Sequence, residues 1–254
     1  MRYAPRAMTT GRHKAHPKKI FIIKTGEPVP KVREKRGEFS DLIVETIGEA
    51  WNHGYASFDA RTDEPPNPQE AEAFVITGSA ANVPDRIEWM LKTEAYLRDV
   101  VKLGIPTFGI CFGHQILAQA LGGEVRKNPR GREIGTRHIN KLEHDPIFEG
   151  VPDVFKASVT HIDTVAKLPS GTKVLAKNDF DDHHALRFTE TCYGVQFHPE
   201  LDADVMRGYV EHRWDTLASE GIVVDELHRS IEESEFGRRT LINFVRHIMP
   251  RRSK

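Results

Sequence analysis

The sequence predicts an α/β protein: a doubly wound, mostly parallel sheet flanked by helices, with β-hairpins appended. Three observations predict it. Short continuous apolar runs at 19–24 (KIFIIK), 74–76 and 105–110 carry the two-sided hydrophobicity of strands buried in a parallel sheet. Segments with apolar residues at helical spacing alternate with them. Gly26, Gly78 and Cys111 all fall where these strands end, the edge at which open α/β sheets bind ligands.

In order, 19–24 is the first strand, closed by Thr25-Gly26-Glu27-Pro28. The charged stretch 30–37 reads as a loop, and 38–51 as a helix with Phe39, Leu42, Ile43, Ile47 and Trp51 on one face. A second strand at 55–60 and a Pro-rich loop precede the strand at 74–76, which runs into Thr77-Gly78-Ser79. A helix over 85–103, the strand 105–110, a helix over 115–121 closed by Gly122-Gly123, and a strand at 124–125 follow. From 134 to 191 the pattern changes to short β-like runs at 134–139, 154–159, 173–176 and 184–188, read as hairpins added to the sheet. A strand at 193–197 ends at His198-Pro199-Glu200, because proline cannot donate to a ladder. Helices over 202–217 and 225–248 cover the sheet. Residues 19–249 are expected to form one domain, between a basic, disordered head at 1–18 and a basic tail at 250–254.

Composition narrows the function classes. With 254 residues, 39% hydrophobic content and a net charge of −1, nothing argues for nucleic-acid binding. No apolar stretch has the length of a membrane span. The head carries six Lys and Arg among residues 2–19 with no acid, yet it lacks serine and an amphipathic face, against a transit peptide. Met8 is an alternative start. Two cysteines, Cys111 and Cys192, exclude a disulfide framework and suit a reducing, cytoplasmic setting. Cys192, without flanking glycines, reads as a packed strand residue. No Walker-type loop or dinucleotide fingerprint is present, and no cofactor is expected. His183-His184 beside Asp181-Asp182 has no zinc-like spacing, so no metal site is expected.

The chemistry concentrates at Gly109-Ile110-Cys111-Phe112-Gly113-His114-Gln115. A strand, a tight turn bearing a nucleophile and then a helix make a nucleophile elbow. The helix aims free amides and its positive end at the sulfur, which favours thiolate. A cysteine nucleophile needs a base, and the base an orienting partner. His198 and Glu200, two residues apart on extended backbone, point the same way and can supply both.

Gly109-x-Cys111-x-Gly113-His114-Gln115, followed downstream by Gly194-Val195-Gln196-Phe197-His198-Pro199-Glu200, resembles the class I glutamine amidotransferase family. Ser158-x-x-His161-x-Asp163-x-Val165 with Leu168-Pro169 is also similar to the glutaminase domain of GMP synthase and its stand-alone relatives. The resemblance implies a flavodoxin-like fold, with Cys111 as nucleophile, His198 as acid/base and Glu200 as orienter. It implies hydrolysis of the glutamine side-chain amide through a glutamyl thioester. Backbone N–H groups of Phe112 and Gly78 would hold the oxyanion, although Thr77-Gly78-Ser79 has one glycine where the family has two. Gln115 and His161 would bind substrate.

The acceptor of the ammonia is expected on another polypeptide, a separate synthase. Two other readings stand beside this one. A hydrolase of γ-glutamyl peptides or amides would need a pocket open beyond the γ-amide. A non-catalytic binding protein of the same fold is disfavoured by the intact Cys111, His198 and Glu200.

Overall fold

The computed structural model describes residues 18–249; the basic tail and all of the basic head but Lys18 lie outside them. The chain begins with β1 (Lys19–Lys24), α1 (Pro30–Arg36), α2 (Phe39–Ile47), β2 (Tyr55–Asp59), β3 (Ala71–Ile76) and α3 (Glu88–Lys102). Then come β4 (Thr107–Ile110), α4 (Phe112–Ala120), β5 (Glu124–Lys127), β6 (Glu133–Lys141), β7 (Val154–His161) and β8 (Asp163–Lys167). The last third holds β9 (Lys173–Lys177), β10 (Ala185–Arg187), β11 (Cys192–Val195), α5 (Ala203–His212), α6 (Trp214–Ser219), α7 (Val224–Arg229) and α8 (Glu235–Asn243).

Nine strands form one sheet in the order β2-β1-β3-β4-β11-β10-β9-β6-β7. The pairs from β2 through β11 are parallel, and those from β11 to β7 are antiparallel. The expected hairpin strands thus continue the sheet beyond its parallel half. Adjacent residues of β1 face opposite layers. Ile22 packs with Ile43, Ile47, Phe108 and Phe244 under α2 and α8, while Ile23 packs with Phe74, Leu97 and Ile116 under α3 and α4. A third cluster joins Leu201 and Met206 to Val32 and Phe39, fixing α5 against the carboxyl edge of the sheet.

Four expectations need correction. Segment 30–37 is a helix, not a loop: Pro30 pre-sets its first turn and Gly37, at φ 85, ends it. Its charges are not idle, since Arg36 pairs with Asp202 at 2.9 Å. The strand after α4 leaves the main sheet and pairs antiparallel with β8, which the sequence pattern did not show. The helix expected over 202–217 breaks at Arg213 (φ −102, ψ 14) into α5 and α6. That over 225–248 divides into α7, α8 and a π-helical turn, Phe244–Ile248.

The two elbow glycines serve close packing of α4 on the sheet. A Cβ at Gly109 would lie 2.5 Å from the Gly113 backbone, and one at Gly113 would lie 2.5 Å from Ile76 O. Such contacts cannot relax by moving a side chain, so Gly109→Ala should cost about 3 kcal/mol or more in urea unfolding. Gly104→Ala is the control. Nothing lies within 4 Å of its Cβ position, and its φ of +69° should cost only about 1–2 kcal/mol.

Candidate active site

Cys111 sits between β4 and α4 with φ 50 and ψ −102, left-handed backbone that a non-glycine residue rarely adopts. The strain is held from both sides. Its N–H donates to Val195 O at 2.8 Å, and its carbonyl accepts the Gln115 N–H at 3.0 Å. α4 starts at Phe112, earlier than the 115 of the sequence pattern, so the Phe112 N–H is a first-turn amide with no carbonyl one turn before it.

β11 runs beside β4 and delivers the second half of the site. His198 N–H donates to Ser158 O at 2.8 Å, which pins the loop after β11 against β7. His198 Nδ1 meets Glu200 Oε1 at 2.8 Å, both residues buried. A turn over Pro199-Glu200, not the continuous extended backbone expected, brings them together. Phe39 stacks near the imidazole at 6.5 Å between centroids. His198 Nε2 is buried without a hydrogen bond among the described residues.

The electrostatics couple the two groups. Burial pushes the Cys111 thiol up, but the charge of His198 beside it, and of His161 behind it, leaves it below its ordinary value. Burial pushes His198 down, yet Glu200 and Cys111 raise it further, to about 10. Both directions favour a thiolate facing an imidazolium. The neutral thiol's contact with Thr160 O, at 3.8 Å, is weak and is given up on ionisation. The other cysteine behaves differently: burial raises Cys192 well above the ordinary thiol range.

Gly78 closes the other wall. Its carbonyl accepts from Thr25 Oγ1 at 3.2 Å and Thr77 Oγ1 at 3.0 Å, fixing the peptide. A Cβ there would lie 2.9 Å from His198 Cε1 and 3.8 Å from Cys111 Cβ, so only glycine lets this backbone approach.

Gln115 is buried and donates from Nε2 to Asp163 O at 2.8 Å and Gln196 Oε1 at 2.9 Å, leaving its Oε1 as an acceptor. His161 has both ring nitrogens engaged, Nδ1 with Asp163 O at 3.0 Å and Nε2 with Glu133 Oε2 at 2.9 Å. Both partners are acceptors, so His161 is an imidazolium with no nitrogen left for a ligand. Its pKa is raised against burial by Glu133, whose own carboxyl is lowered. His114 of the elbow motif faces the core instead, and burial lowers it to about 3.

Glu133, His161 and His184 form the one group with three metal-ligating atoms within 4.8 Å among the described residues. They come from separate segments, which is why a search for local ligand spacing missed them. Glu133 Oε2 already accepts from His161, and Asn178 Nδ2 donates to Oε1 at 2.6 Å, an ion-paired network in its own right.

A cavity of about 620 Å³ opens over Cys111 and His198, lined also by Gly26, Phe39, Ser79 and Arg213. A smaller one of about 260 Å³ continues past Cys111 to Gln115, Asp163 and Arg213. Asp163 is buried, and burial raises its carboxyl. Nothing in the sequence pattern marks Arg213, since its place depends on the break between α5 and α6. A buried thiolate beside an imidazolium, with Phe112 and Gly78 amides nearby, can attack a carbonyl and protonate a leaving amine.

Known proteins resemble this chain in sequence and in fold. The family model for glutamine amidotransferase class-I matches residues 51–212. A glutamine-hydrolysing GMP synthase of Thermosipho africanus is 36% identical over 170 residues, covering 65% of this chain and 31% of that protein. The chain therefore spans about a third of that relative. One subunit of the glutamine-hydrolysing GMP synthase of Sulfolobus acidocaldarius is 32% identical over 65% of this chain and 85% of its own length. A glutamine amidotransferase structure from Thermotoga maritima superposes with TM-score 0.70 at 22% identity, over 89% of this chain and 96% of that one. One from Methylobacillus flagellatus gives 0.71 at 21%, over 93% and 97%. At these identities the structures show a shared fold.

Alkylation should distinguish the two thiols. At pH 7 iodoacetamide is expected to modify Cys111 and spare Cys192, read by peptide mass spectrometry. His198→Asn removes the charge that lowers Cys111 and leaves the burial that raises it. Its labelling at pH 7 should fall at least about tenfold and recover as pH rises through the restored thiol range. Equal labelling of the two cysteines would contradict the ion pair.

Proposed function

Since the chain belongs to the class I glutamine amidotransferase family, we propose that it hydrolyses the side-chain amide of glutamine and supplies ammonia to a separate synthase. The observation that carries this reading is the Cys111 thiol beside a buried His198 whose far nitrogen lies 2.8 Å from Glu200. Cys111 Sγ attacks the amide carbon, and its bond to carbon forms as the carbonyl electrons move to oxygen. The N–H groups of Phe112 and Gly78 receive that oxyanion. His198 gives its Nε2 proton to the departing ammonia, leaving a glutamyl thioester. Neutral His198 then takes a proton from water, whose hydroxyl attacks the thioester and expels the Cys111 thiolate; the carboxyl proton passes to ammonia, so glutamate and ammonium leave and the thiolate–imidazolium pair is restored. Glu200 holds the imidazole by Nδ1 throughout and stabilises its charged form.

Gln115 Oε1 and the Asp163 carboxyl group, both lining the smaller cavity, are the acceptors offered to the substrate's ammonium. His161, which lines the smaller cavity, also acts on the thiolate through its charge. Both halves of the site hang from one continuous sheet, which supports reading residues 19–249 as a single catalytic unit. No helix among the described residues is long and apolar enough to cross a membrane.

The relatives named as GMP synthases make a nucleotide amination the leading use for the ammonia. The volume of the outer cavity, about 620 Å³, favours one second reading, hydrolysis of γ-glutamyl amides whose leaving amine is larger than ammonia.

Ammonia and glutamate release by the purified protein tests the first reading. Wild type is expected to turn over glutamine, Cys111→Ala to abolish it, and Glu200→Gln to slow it by at least about tenfold through a misoriented imidazole. Turnover that survives in Cys111→Ala would overturn the mechanism. Faster release from γ-glutamyl amides than from glutamine would favour the second reading.

A further inference from the structure

Three arginines line the two cavities around Cys111: Arg61, Arg132 and Arg213. Arg61 is neutralised by Asp59 at 2.7 Å and Glu27 at 2.9 Å, and Arg132 by Glu220 at 2.8 Å. Arg213 alone of the three has no carboxylate within 4.0 Å among the described residues. Its guanidinium donates from Nη1 to Thr160 Oγ1 at 2.7 Å and lies 5.0 Å from the centre of the Tyr209 ring. Burial lowers its pKa, and Arg132 adds to that effect against the opposing pull of Tyr209, Cys111 and Glu220. A guanidinium presents five N–H donors in a fork that fits a carboxylate, and one hydrogen bond to a hydroxyl leaves most of them unused.

Its position fits that use. Thr160 is shared: its side chain holds Arg213, and its carbonyl is 3.8 Å from Cys111 Sγ. In glutamine the α-carboxylate carbon lies roughly 5 Å from the side-chain amide carbon when extended, a short amino acid's reach. The break between α5 and α6 falls at Arg213 itself. Its N–H is shared between Tyr209 O and Val210 O, both at 3.2 Å, as the backbone leaves the helix and its side chain enters both cavities.

We propose that Arg213 is the carboxylate-binding residue of this site: it pairs with the α-carboxylate of the substrate and selects α-amino acids over analogues lacking that charge. This rests on the reading of Cys111 as the nucleophile of a glutamine-hydrolysing site. Arg213 is a binding residue, and the chemistry of the thiolate does not pass through it.

The test compares glutamine with its α-carboxamide, glutaminamide, which keeps the reacting amide and loses the carboxylate. Arg213→Met should lower kcat/KM for glutamine on the order of 100-fold, through KM, because a charge-assisted bidentate pair is lost. It should change kcat/KM for glutaminamide by no more than about threefold, so the preference collapses. Arg213→Lys should restore part of the glutamine value, and Thr160→Val should raise KM with a smaller effect. Thermal unfolding of each variant reports folding, and Arg213→Met should stay close to wild type, because the side chain is only half-buried and has no ion pair among the described residues. Equilibrium binding of the same two compounds to Cys111→Ala protein repeats the comparison without turnover. Equal losses for both compounds, or an unchanged preference, with wild type active on glutamine would overturn the role of Arg213 alone. Failure of wild type to turn over glutamine, together with no binding to Cys111→Ala, would overturn the glutaminase reading and this inference with it.

Discussion

The charge pair between Cys111 and His198 is the interaction on which the site depends. Placing a thiolate and an imidazolium out of water carries an effective penalty of several kcal/mol per ion. Their mutual attraction offsets it only where geometry and further hydrogen bonds are right. Glu200 takes the imidazole's outer nitrogen at 2.8 Å, and α4 begins directly after Cys111, which puts the positive end of its dipole beside the cysteine. His161, held by Glu133, stands behind the thiol at the wall of the smaller cavity, and its charge helps to lower the thiol. Charge is thus arranged in two layers, one that reacts and one that supports it.

That arrangement is made by backbone contacts more than by side chains. Cys111 holds φ 50 because α4 presses onto the sheet at Gly109 and Gly113, and because β11 accepts its N–H. Gly78 brings a peptide against His198 that any larger residue would push away. The glycines flanking the cysteine were legible in the sequence, but their purpose was not. They keep helix and strand in contact, whereas Gly78 is the one that clears space near the nucleophile.

The parts that sequence reveals are those whose cause is local. Buried strands such as KIFIIK, the Gly-x-Cys-x-Gly turn and the His-Pro-Glu end of a strand each carry their own chemistry within a few residues. What escaped depends on distant partners. Pro30–Arg36 looked like a solvated charge run because its helix is fixed by Val32 under α5 and by Asp202, far along the chain. β5 and β8 are recognisable only as a pair. The Glu133–His161–His184 cluster joins three segments, and Arg213 enters the cavity only because a helix breaks there. The inner cavity is lined by Asp163 and Gln115 as well as by Arg213, so acceptor and cationic groups that lie far apart in the sequence meet there.

The mechanism starts from a resting enzyme that holds His198 protonated against a Cys111 thiolate. Nitrogen NMR of the histidine side chains across pH measures this state directly. Both His198 nitrogens are expected to carry protons at pH 7.5, and the ring to titrate near 10. In Cys111→Ala that titration should move down, because the negative partner is gone. A His198 that is neutral at pH 7.5 and titrates near the ordinary imidazole value of about 6.5 in both proteins would contradict the ion pair.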